Sequence, residues 1–141
     1  MSKSLADCLF CKIIKREIPS NKLIETEHSY AFLDIFPLSK GHSLVVPKYH
    51  TEFLHQLPDE NLADLLPVAK KVAVAVTAAT EETQYNILQN NGPRAHQVVK
   101  HVHFHVIPKQ EDGSGLIIEW PSSKASNQEL EDLAKKIIEK L

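Results

Sequence analysis

Apolar residues recur at helical spacing in three stretches of the chain. The first stretch predicts a short helix over residues 8–17, which stops before Pro19 because a residue that precedes proline disfavours the helical conformation. The second follows Asp59 and predicts a helix of about five turns over residues 59–77, in which Pro67 can produce a kink or shift the start. The apolar face of this second helix consists of Leu62, Leu65, Leu66, Ala69, Val72, Ala73 and Val76.

The third helical stretch lies near the C-terminus, in an extension that covers residues 122–141. We expect Asn127 to cap this helix, since an asparagine side chain accepts a hydrogen bond from a backbone N–H of the first turn. Its apolar stripe consists of Leu130, Leu133, Ile137 and Leu141. The pattern therefore predicts an amphipathic helix at the end of the chain.

Short runs rich in β-branched and aromatic residues predict strands between these helices. They cover residues 22–25, 30–33, 42–46, 85–89 and 98–107. Turn residues separate several of them, as in the hairpin at residues 27–29 and the Asn-Gly-Pro turn at residues 90–93. Strands joined by short turns, with helices between and after them, predict an α+β fold built on an antiparallel sheet of about five strands.

The composition is that of a single globular domain, which we place at residues 1–141. Of the 141 residues, 43% are hydrophobic and 24% are charged, which excludes a chain disordered throughout. Lys and Arg number 16 against 18 Asp and Glu, so the net charge of −2 argues against a nucleic-acid partner. No run reaches the ~20 apolar residues of a membrane span, and the first seven residues contain no apolar signal segment. We expect a cytoplasmic protein, with the nucleus as a second compartment, and no membrane partner.

Three histidines alternate with apolar residues in the last predicted strand. Successive side chains of a strand point to opposite faces, so the apolar residues are expected in the core and the histidines together on the other face. The apolar set is Val102, Phe104 and Val106, and the histidine set is His101, His103 and His105. A histidine-rich solvent-facing strand and a metal site are alternative interpretations. A neutral histidine is also a competent nucleophile towards phosphorus near pH 7, so the row favours nucleophilic and acid–base chemistry.

Phosphoryl chemistry also needs hydrogen-bond donors directed at the non-bridging oxygens. Asn90 and Gln97 are candidates, because they lie in the turn and the segment that lead into the histidine row. Gly92 allows backbone amides to approach a phosphate closely. The same Asn-Gly pair is also consistent with a simple turn.

The histidine row resembles the signature of a known family. The segment from His101 to Ile107 is similar to the histidine triad signature, in which histidines alternate with hydrophobic residues. Further blocks resemble the Hint branch of that family in the same order, at residues 10–14, 17–19, 31–35 and 41–48. Three segments, at residues 89–92, 95–97 and 115–121, are most similar to fungal-type members. The resemblance covers residues 8–108, which we take as the family core.

The resemblance implies roles for four histidines. His103 matches the nucleophile that takes up a nucleotidyl group, and His101 and His105 match the flanking residues that orient it and the phosphate. His42 matches a fourth histidine near the same cluster. An amine leaves poorly unless it is protonated, and we expect a protonated neighbour of the nucleophile to supply that proton.

The resemblance also implies nucleotide-binding residues. Asp34 matches the carboxylate that accepts hydrogen bonds from the ribose hydroxyls, and Asn90 and Gln97 match phosphate-side and loop positions. Four residues fall where the family builds an apolar slot for a purine: Phe10, Ile13, Phe32 and Ile35. Ordinary core packing is the alternative interpretation of these four apolar residues.

The function implied by the resemblance is hydrolysis of adenosine 5′-monophosphoramidates to AMP and an amine, through a covalent nucleotidyl-histidine. No cofactor is expected for the chemical step. Two alternatives stay open at this point. One is an enzyme that cleaves dinucleoside polyphosphates or transfers the nucleotide to another acceptor. The other is a purine-nucleotide-binding or interaction protein in which catalysis is incidental.

Cys8 and Cys11 form a Cys-x-x-Cys pair, which is typical of metal or redox chemistry. A closed tetrahedral zinc site needs two more ligands, and the resemblance supplies His50 and His101. Such a zinc ion would be structural. Two free thiols on a buried helix face and a redox pair are the alternatives.

The resemblance further implies a homodimer. The predicted helix at residues 59–77 and the predicted strand at residues 85–88 are together more hydrophobic than one small sheet requires. We expect these two elements to form the interface between the subunits.

Overall fold

The computed structural model describes residues 4–141, so the first three residues of the N-terminal segment lie outside the described part of the chain. Five strands and three α-helices follow one another along the described chain. They are α1 (Leu9–Ile14), β1 (Lys22–Glu25), β2 (Ser29–Leu33), β3 (Ser43–Pro47), α2 (Asp59–Thr80), β4 (Tyr85–Gln89), β5 (Phe104–Pro108) and α3 (Asn127–Ile138). None of the described helices is long and apolar enough to span a bilayer.

The five strands form one sheet in the order β1-β2-β3-β5-β4, and every neighbouring pair is antiparallel. The last strand, β5, lies between β3 and the edge strand β4, so β4 precedes β5 in the chain but lies outside it in the sheet. The predicted α+β class with a five-stranded antiparallel sheet is therefore confirmed. The strands β1 and β4 are the two edges of the sheet.

The two faces of the sheet carry separate clusters of buried side chains. On one face, α2 covers an aliphatic cluster that includes Val45, Val102 and Val106. On the other face, α1 packs over an aromatic cluster that includes Phe10, Tyr30 and Phe32. The alternation predicted for the histidine row is seen here, because the apolar residues point towards α2 and the histidines point away from it.

The long helix α2 continues to Thr80, three residues beyond the predicted end, and Pro67 lies inside it. Pro67 has no backbone N–H, so the carbonyl of Ala63, four residues earlier, has no hydrogen-bond donor within the helix. Both residues are exposed to solvent. Water can therefore satisfy this carbonyl, and the helix stays continuous. Leu66, which we placed on the apolar face, is 53% exposed, while Val68 is buried in its stead.

Several predicted boundaries are wrong by one or more residues. The strand β5 begins at Phe104 rather than at residue 98, because the backbone N–H of Val102 donates to the carbonyl of Thr51, which lies outside the strands, and not to β3 or β4. The helix α1 ends at Ile14, and Arg16 then has a φ of 64° that breaks the helix. The strand β3 begins at Ser43, one residue late. Ser126 caps α3 in place of Asn127, since its hydroxyl accepts from the N–H of Glu129.

Candidate functional site

A cavity of about 340 Å³ opens on the face of the sheet opposite α2. All four residues of the predicted apolar slot line it: Phe10, Ile13, Phe32 and Ile35. The first three are buried, whereas Ile35 is 76% exposed and lies at the mouth. Four titratable side chains also line the cavity, namely Asp34, His96, His103 and His105. The site thus joins an apolar pocket to a polar end that contains the histidine row.

The imidazole of His103 is held in one tautomer by the backbone. Its Nδ1 lies 2.7 Å from the carbonyl oxygen of His101. A carbonyl oxygen can only accept, so Nδ1 carries the proton and Nε2 of the neutral ring keeps its lone pair. The ring of Phe10 packs edge-on against it with the ring centroids 5.1 Å apart. Burial lowers the pKa of His103 and so favours this neutral form, although the bond to His101 and the charge of Asp34 act in the opposite direction.

His42 and His105 form a hydrogen-bonded pair whose tautomers are also fixed. The backbone N–H of Leu38 donates to Nδ1 of His42 at 3.0 Å, so the proton of this neutral ring is on Nε2. This Nε2–H lies 2.9 Å from Nδ1 of His105, which must therefore accept. The proton of His105 is then on its Nε2. Burial, together with the charges of His103 and His42, lowers the pKa of His105 to about 4.

Asp34 lies beside this pair at the polar end of the cavity. Its Oδ1 accepts from the backbone N–H of Phe36 at 2.8 Å, which fixes the orientation of the carboxylate. Its Oδ2 lies 3.5 Å from Nε2 of His42. A carboxylate has about four acceptor positions, so further oxygen lone pairs remain available to a bound hydroxyl.

The structure places Gln97 and Asn90 in the loop between β4 and β5, outside the lining of the cavity. The buried side chain of Gln97 accepts from the N–H of Gly92 at 2.7 Å and donates to the carbonyls of Glu52 and Val99. The side-chain amide of Asn90 donates to the carbonyl of His96 at 3.4 Å. In this structure both amides hold the loop in place.

His101 faces away from the cavity towards a second cluster. Its Nε2 lies 2.8 Å from the carbonyl oxygen of Pro47, so Nε2 carries the proton and Nδ1 keeps its lone pair. Nδ1 lies 3.3 Å from Sγ of Cys8 and 3.0 Å from Nδ1 of His50. His101 therefore acts on the histidine row through its carbonyl, which orients His103, and its side chain belongs to the second cluster.

The second cluster consists of Cys8, Cys11, His50 and His101, and these four side chains could hold a metal ion. One ligand atom from each lies within 4.8 Å of all the others. Three of the four residues are buried, and Cys8 is half-buried as the N-cap of α1. Burial raises the pKa of the Cys8 thiol, so its thiolate needs a nearby cation to be stable.

Several residues that line the cavity were not predicted from the sequence. They include Leu9, Ile18, Leu44 and Val99 around the apolar pocket, Phe36 and Val98 at its mouth, and His96. Leu44 could have been found, because it lies on the same face of β3 as the buried Val46. The others belong to loops or short helical turns, where no periodicity indicates the direction of a side chain.

Comparisons with known proteins agree with this geometry. A family model described as HIT domain matches residues 15–112. The adenosine 5′-monophosphoramidase HNT1 of Saccharomyces cerevisiae is 55% identical over 136 residues, which are 96% of this chain and 84% of the yeast protein. The crystal structure of a histidine triad nucleotide-binding protein from Candida albicans is 48% identical with a TM-score of 0.89, over 95% of this chain and 96% of that chain. The crystal structure of a zinc-bound histidine triad family protein from Mycobacterium smegmatis is 30% identical with a TM-score of 0.73, over 96% and 98% of the two chains.

Proposed function

This chain belongs to the histidine triad (HIT) family, and we propose that it is an adenosine 5′-monophosphoramidase, which hydrolyses adenosine 5′-monophosphoramidates to AMP and an amine. One observation carries the mechanism. The bond from Nδ1 of His103 to the carbonyl of His101 leaves an unprotonated Nε2 at the polar end of an apolar cavity. A fixed nitrogen lone pair beside a nucleotide-sized pocket is what nucleophilic attack on phosphorus requires.

The apolar pocket binds the base, and Asp34 binds the sugar. Phe10, Ile13 and Phe32 provide flat and aliphatic surfaces for a purine ring. The carboxylate of Asp34 is oriented by the N–H of Phe36 and accepts hydrogen bonds from the ribose hydroxyls. With the base and the sugar held in this way, the α-phosphorus lies next to His103 and His105.

In the first chemical step, Nε2 of His103 attacks the α-phosphorus and the phosphorus–nitrogen bond to the amine breaks. The amine leaves with one added proton, and the nucleotide is bonded to His103. The Nε2–H of His105 donates to a non-bridging oxygen and stabilises the negative charge that develops there. In the second step, water attacks the phosphorus and gives up one proton, the bond between the phosphorus and Nε2 breaks, AMP leaves, and the bonding pair returns to Nε2 of His103.

We further propose that the second cluster holds a structural zinc ion. A zinc tetrahedron with two nitrogen and two sulfur ligands has edges of about 3.3–3.8 Å, given its ordinary bond lengths. The distances between ligand atoms are 3.3 Å from Cys8 to His101 and 3.5 Å from Cys11 to His50, which fit this range. The Nδ1 atoms of His50 and His101 are 3.0 Å apart, slightly closer than the range. The carbonyl of Pro47 orients His101 in the manner usual for a metal-bound imidazole. When bound, zinc would fix His101 and thereby the carbonyl that holds His103.

We also propose that the protein is a homodimer that uses α2 and β4. Leu66 and Val74 on α2 are 53% and 65% exposed, and Tyr85 and Ile87 on β4 are 44% and 40% exposed. The strand β4 is an edge of the sheet, so its outer backbone groups are available for pairing with a second copy. An apolar helix face beside an open strand edge favours association through both elements.

The activity is tested by turnover of a panel of substrates. The panel contains adenosine and guanosine 5′-phosphoramidates together with dinucleoside polyphosphates, and a His103→Ala protein is measured in parallel. We expect the adenosine phosphoramidates to be cleaved fastest, and rapid quenching to trap nucleotide on the wild-type protein alone. Faster cleavage of dinucleoside polyphosphates would favour that reaction instead, and nucleotide binding without turnover would favour a binding protein.

A further inference from the structure

His96 has no part in the steps described above, although it lines the cavity. Of the other titratable lining residues, Asp34 binds the sugar, His103 attacks the phosphorus and His105 hydrogen-bonds to its oxygen. No lysine or arginine lines this cavity within the described residues 4–141. His96 is therefore the remaining lining group that can give and take a proton during the reaction.

The leaving amine needs a proton that the buried imidazoles cannot give. The His42–His105 pair cannot take up an extra proton, because Nδ1 of His42 accepts from the N–H of Leu38 and its Nε2 donates to Nδ1 of His105. Each ring of the pair carries one proton, and no nitrogen is free to hold another. If His105 gave its Nε2 proton to the amine, an imidazolate anion would remain in the pair. The side chain of His101 is bonded to Pro47 and the cysteine cluster, so it offers no proton either.

In the proposed reaction, the leaving group would depart on the side of the cavity where His96 lies. In an in-line displacement the leaving nitrogen is opposite the attacking nitrogen, and His103 is buried, so the amine points towards solvent. In the proposed binding mode, the base fills the apolar pocket and the ribose lies at Asp34. The remaining part of the mouth is formed by the loop that contains His96 and Val98, and Val98 is 87% exposed.

The backbone at His96 is held in a conformation that is uncommon for histidine. Its φ of 67° and ψ of 22° lie in the left-handed region, which favours glycine and asparagine. Its N–H donates to the carbonyl of Pro93 at 3.1 Å, and its carbonyl accepts from Asn90. The buried Gln97 next to it ties the loop to Gly92 and Glu52. These hydrogen bonds hold the backbone of His96 in one position, so its exposed side chain begins at a fixed point of the cavity mouth.

We propose that His96 is the general acid and base of the reaction, an inference that rests on the proposed phosphoramidase function. In the first step, the imidazolium of His96 donates its ring proton to the amine nitrogen as the phosphorus–nitrogen bond breaks. The amine leaves neutral, and His96 becomes neutral. In the second step, His96 takes one proton from the water that attacks the phosphorus, and the bond between the phosphorus and Nε2 of His103 breaks. AMP leaves, and both histidines return to their starting states.

The test compares two substrates that differ in their need for a proton. Adenosine 5′-propylphosphoramidate releases an alkylamine, whereas the p-nitrophenyl ester of AMP releases a phenolate that leaves without protonation. The variant is His96→Asn, because asparagine tolerates the left-handed backbone and cannot act as an acid. Single-turnover rates of nucleotidyl-His103 formation are measured by rapid quenching. Arg94→Ala is the matched control, because Arg94 is a basic residue in the same turn that does not line the cavity.

We expect His96→Asn to slow the propylamide reaction by about 100-fold, the lower end for a general acid, and the ester reaction by less than about threefold. Arg94→Ala should change neither rate. Equal losses for both substrates would show a structural role, and an unchanged propylamide rate would show that the proton comes from elsewhere; either result overturns the proposal. A wild-type protein that cleaves the ester but not the propylamide would instead overturn the phosphoramidase assignment, and the role of His96 with it.

Discussion

At the scale of single residues, function depends on which nitrogen of each imidazole carries a proton. Backbone groups decide this in three cases. The carbonyl of His101 sets the tautomer of His103, the N–H of Leu38 sets that of His42, and the carbonyl of Pro47 sets that of His101. Because these partners are backbone atoms, they survive any side-chain substitution, and single histidine variants should keep the remaining geometry.

His103→Ala is expected to lower kcat for adenosine phosphoramidates by about 10³-fold or more while the affinity for AMP stays within about threefold. The base and ribose contacts of Phe32 and Asp34 do not involve the lost ring, so binding should persist. Steady-state kinetics and calorimetric titration with AMP measure the two effects. His28→Ala, which removes a histidine outside the cavity, serves as control. A variant that retains more than a tenth of wild-type kcat would contradict nucleophilic catalysis by His103.

As pH is lowered, kcat/KM should fall to half of its maximum only below pH 6.5. The nucleophile must be neutral, an ordinary imidazole is half protonated near pH 6.5, and burial lowers the pKa of His103 from that value. Activity is therefore retained as pH falls through 6.5 and is lost only as pH approaches the lowered pKa. The p-nitrophenyl ester of AMP is the suitable substrate, since its leaving group needs no acid. A half-maximal kcat/KM at or above pH 6.5 would be inconsistent with this assignment.

At the scale of elements, the position of the catalytic strands depends on close packing of α2 against the sheet. Gly41, which precedes β3, has a φ of 90° and lies against the C-terminal part of α2. A Cβ built there would be 2.6 Å from Cγ1 of Val76 and 3.1 Å from Cγ2 of Thr80. This glycine lets the helix approach the strand that is hydrogen-bonded to β5.

Gly41→Ala should destabilise the protein by about 2 kcal/mol more than Gly113→Ala does. Both glycines have a φ near 90°, but nothing lies within 4 Å of a Cβ built at Gly113. The two variants therefore share the backbone strain, and their difference reports the clash with α2. Chemical denaturation of both proteins gives the free energies of unfolding. Equal losses would mean that α2 shifts to accommodate the methyl group at no measurable cost.

The metal-ligand cluster connects α1 to the segment before β5, and backbone hydrogen bonds between strands do not join these two parts of the chain. Cys8→Ser should release zinc and lower the thermal stability, while kcat falls by less than tenfold because the ion takes no part in the chemical step. Elemental analysis, thermal unfolding and kinetics test the three effects. His55→Ala removes an exposed histidine outside the cluster and should leave the metal content unchanged. Wild-type protein purified without zinc, with both thiols reactive, would disprove the site.

At the scale of the whole molecule, the exposed apolar residues of α2 and β4 predict a sedimentation mass of about 32 kDa at micromolar concentration, twice the 15.9 kDa of one chain. Val74→Asp places a charge at the centre of the proposed interface and should shift the mass towards that of a single chain. Leu23→Asp makes the same change on β1, at the opposite edge of the sheet, and should leave the dimer intact. A wild-type mass near 16 kDa would refute the proposed interface.

The features that depend on local periodicity were predictable from the amino-acid sequence. The alternation between His101 and Val106 gave the two faces of the histidine row, and the spacing after Asp59 gave most of α2. The resemblance to the histidine triad family supplied the apolar slot, all of whose residues line the cavity. These features could be predicted because the regular geometry of a helix or strand fixes the direction in which each successive side chain points.

Other features depend on distant partners and became known only from the folded chain. The start of β5 at Phe104, the turn of His101 towards the cysteines and the position of His96 at the cavity mouth follow from contacts with segments far along the chain. The protonation pattern was decided in the same way, since Leu38 imposes it through an N–H that every residue type except proline carries, and Pro47 through a carbonyl that all residue types carry. A backbone carbonyl or N–H has no signature in the sequence, and its partner is set only when the chain has folded.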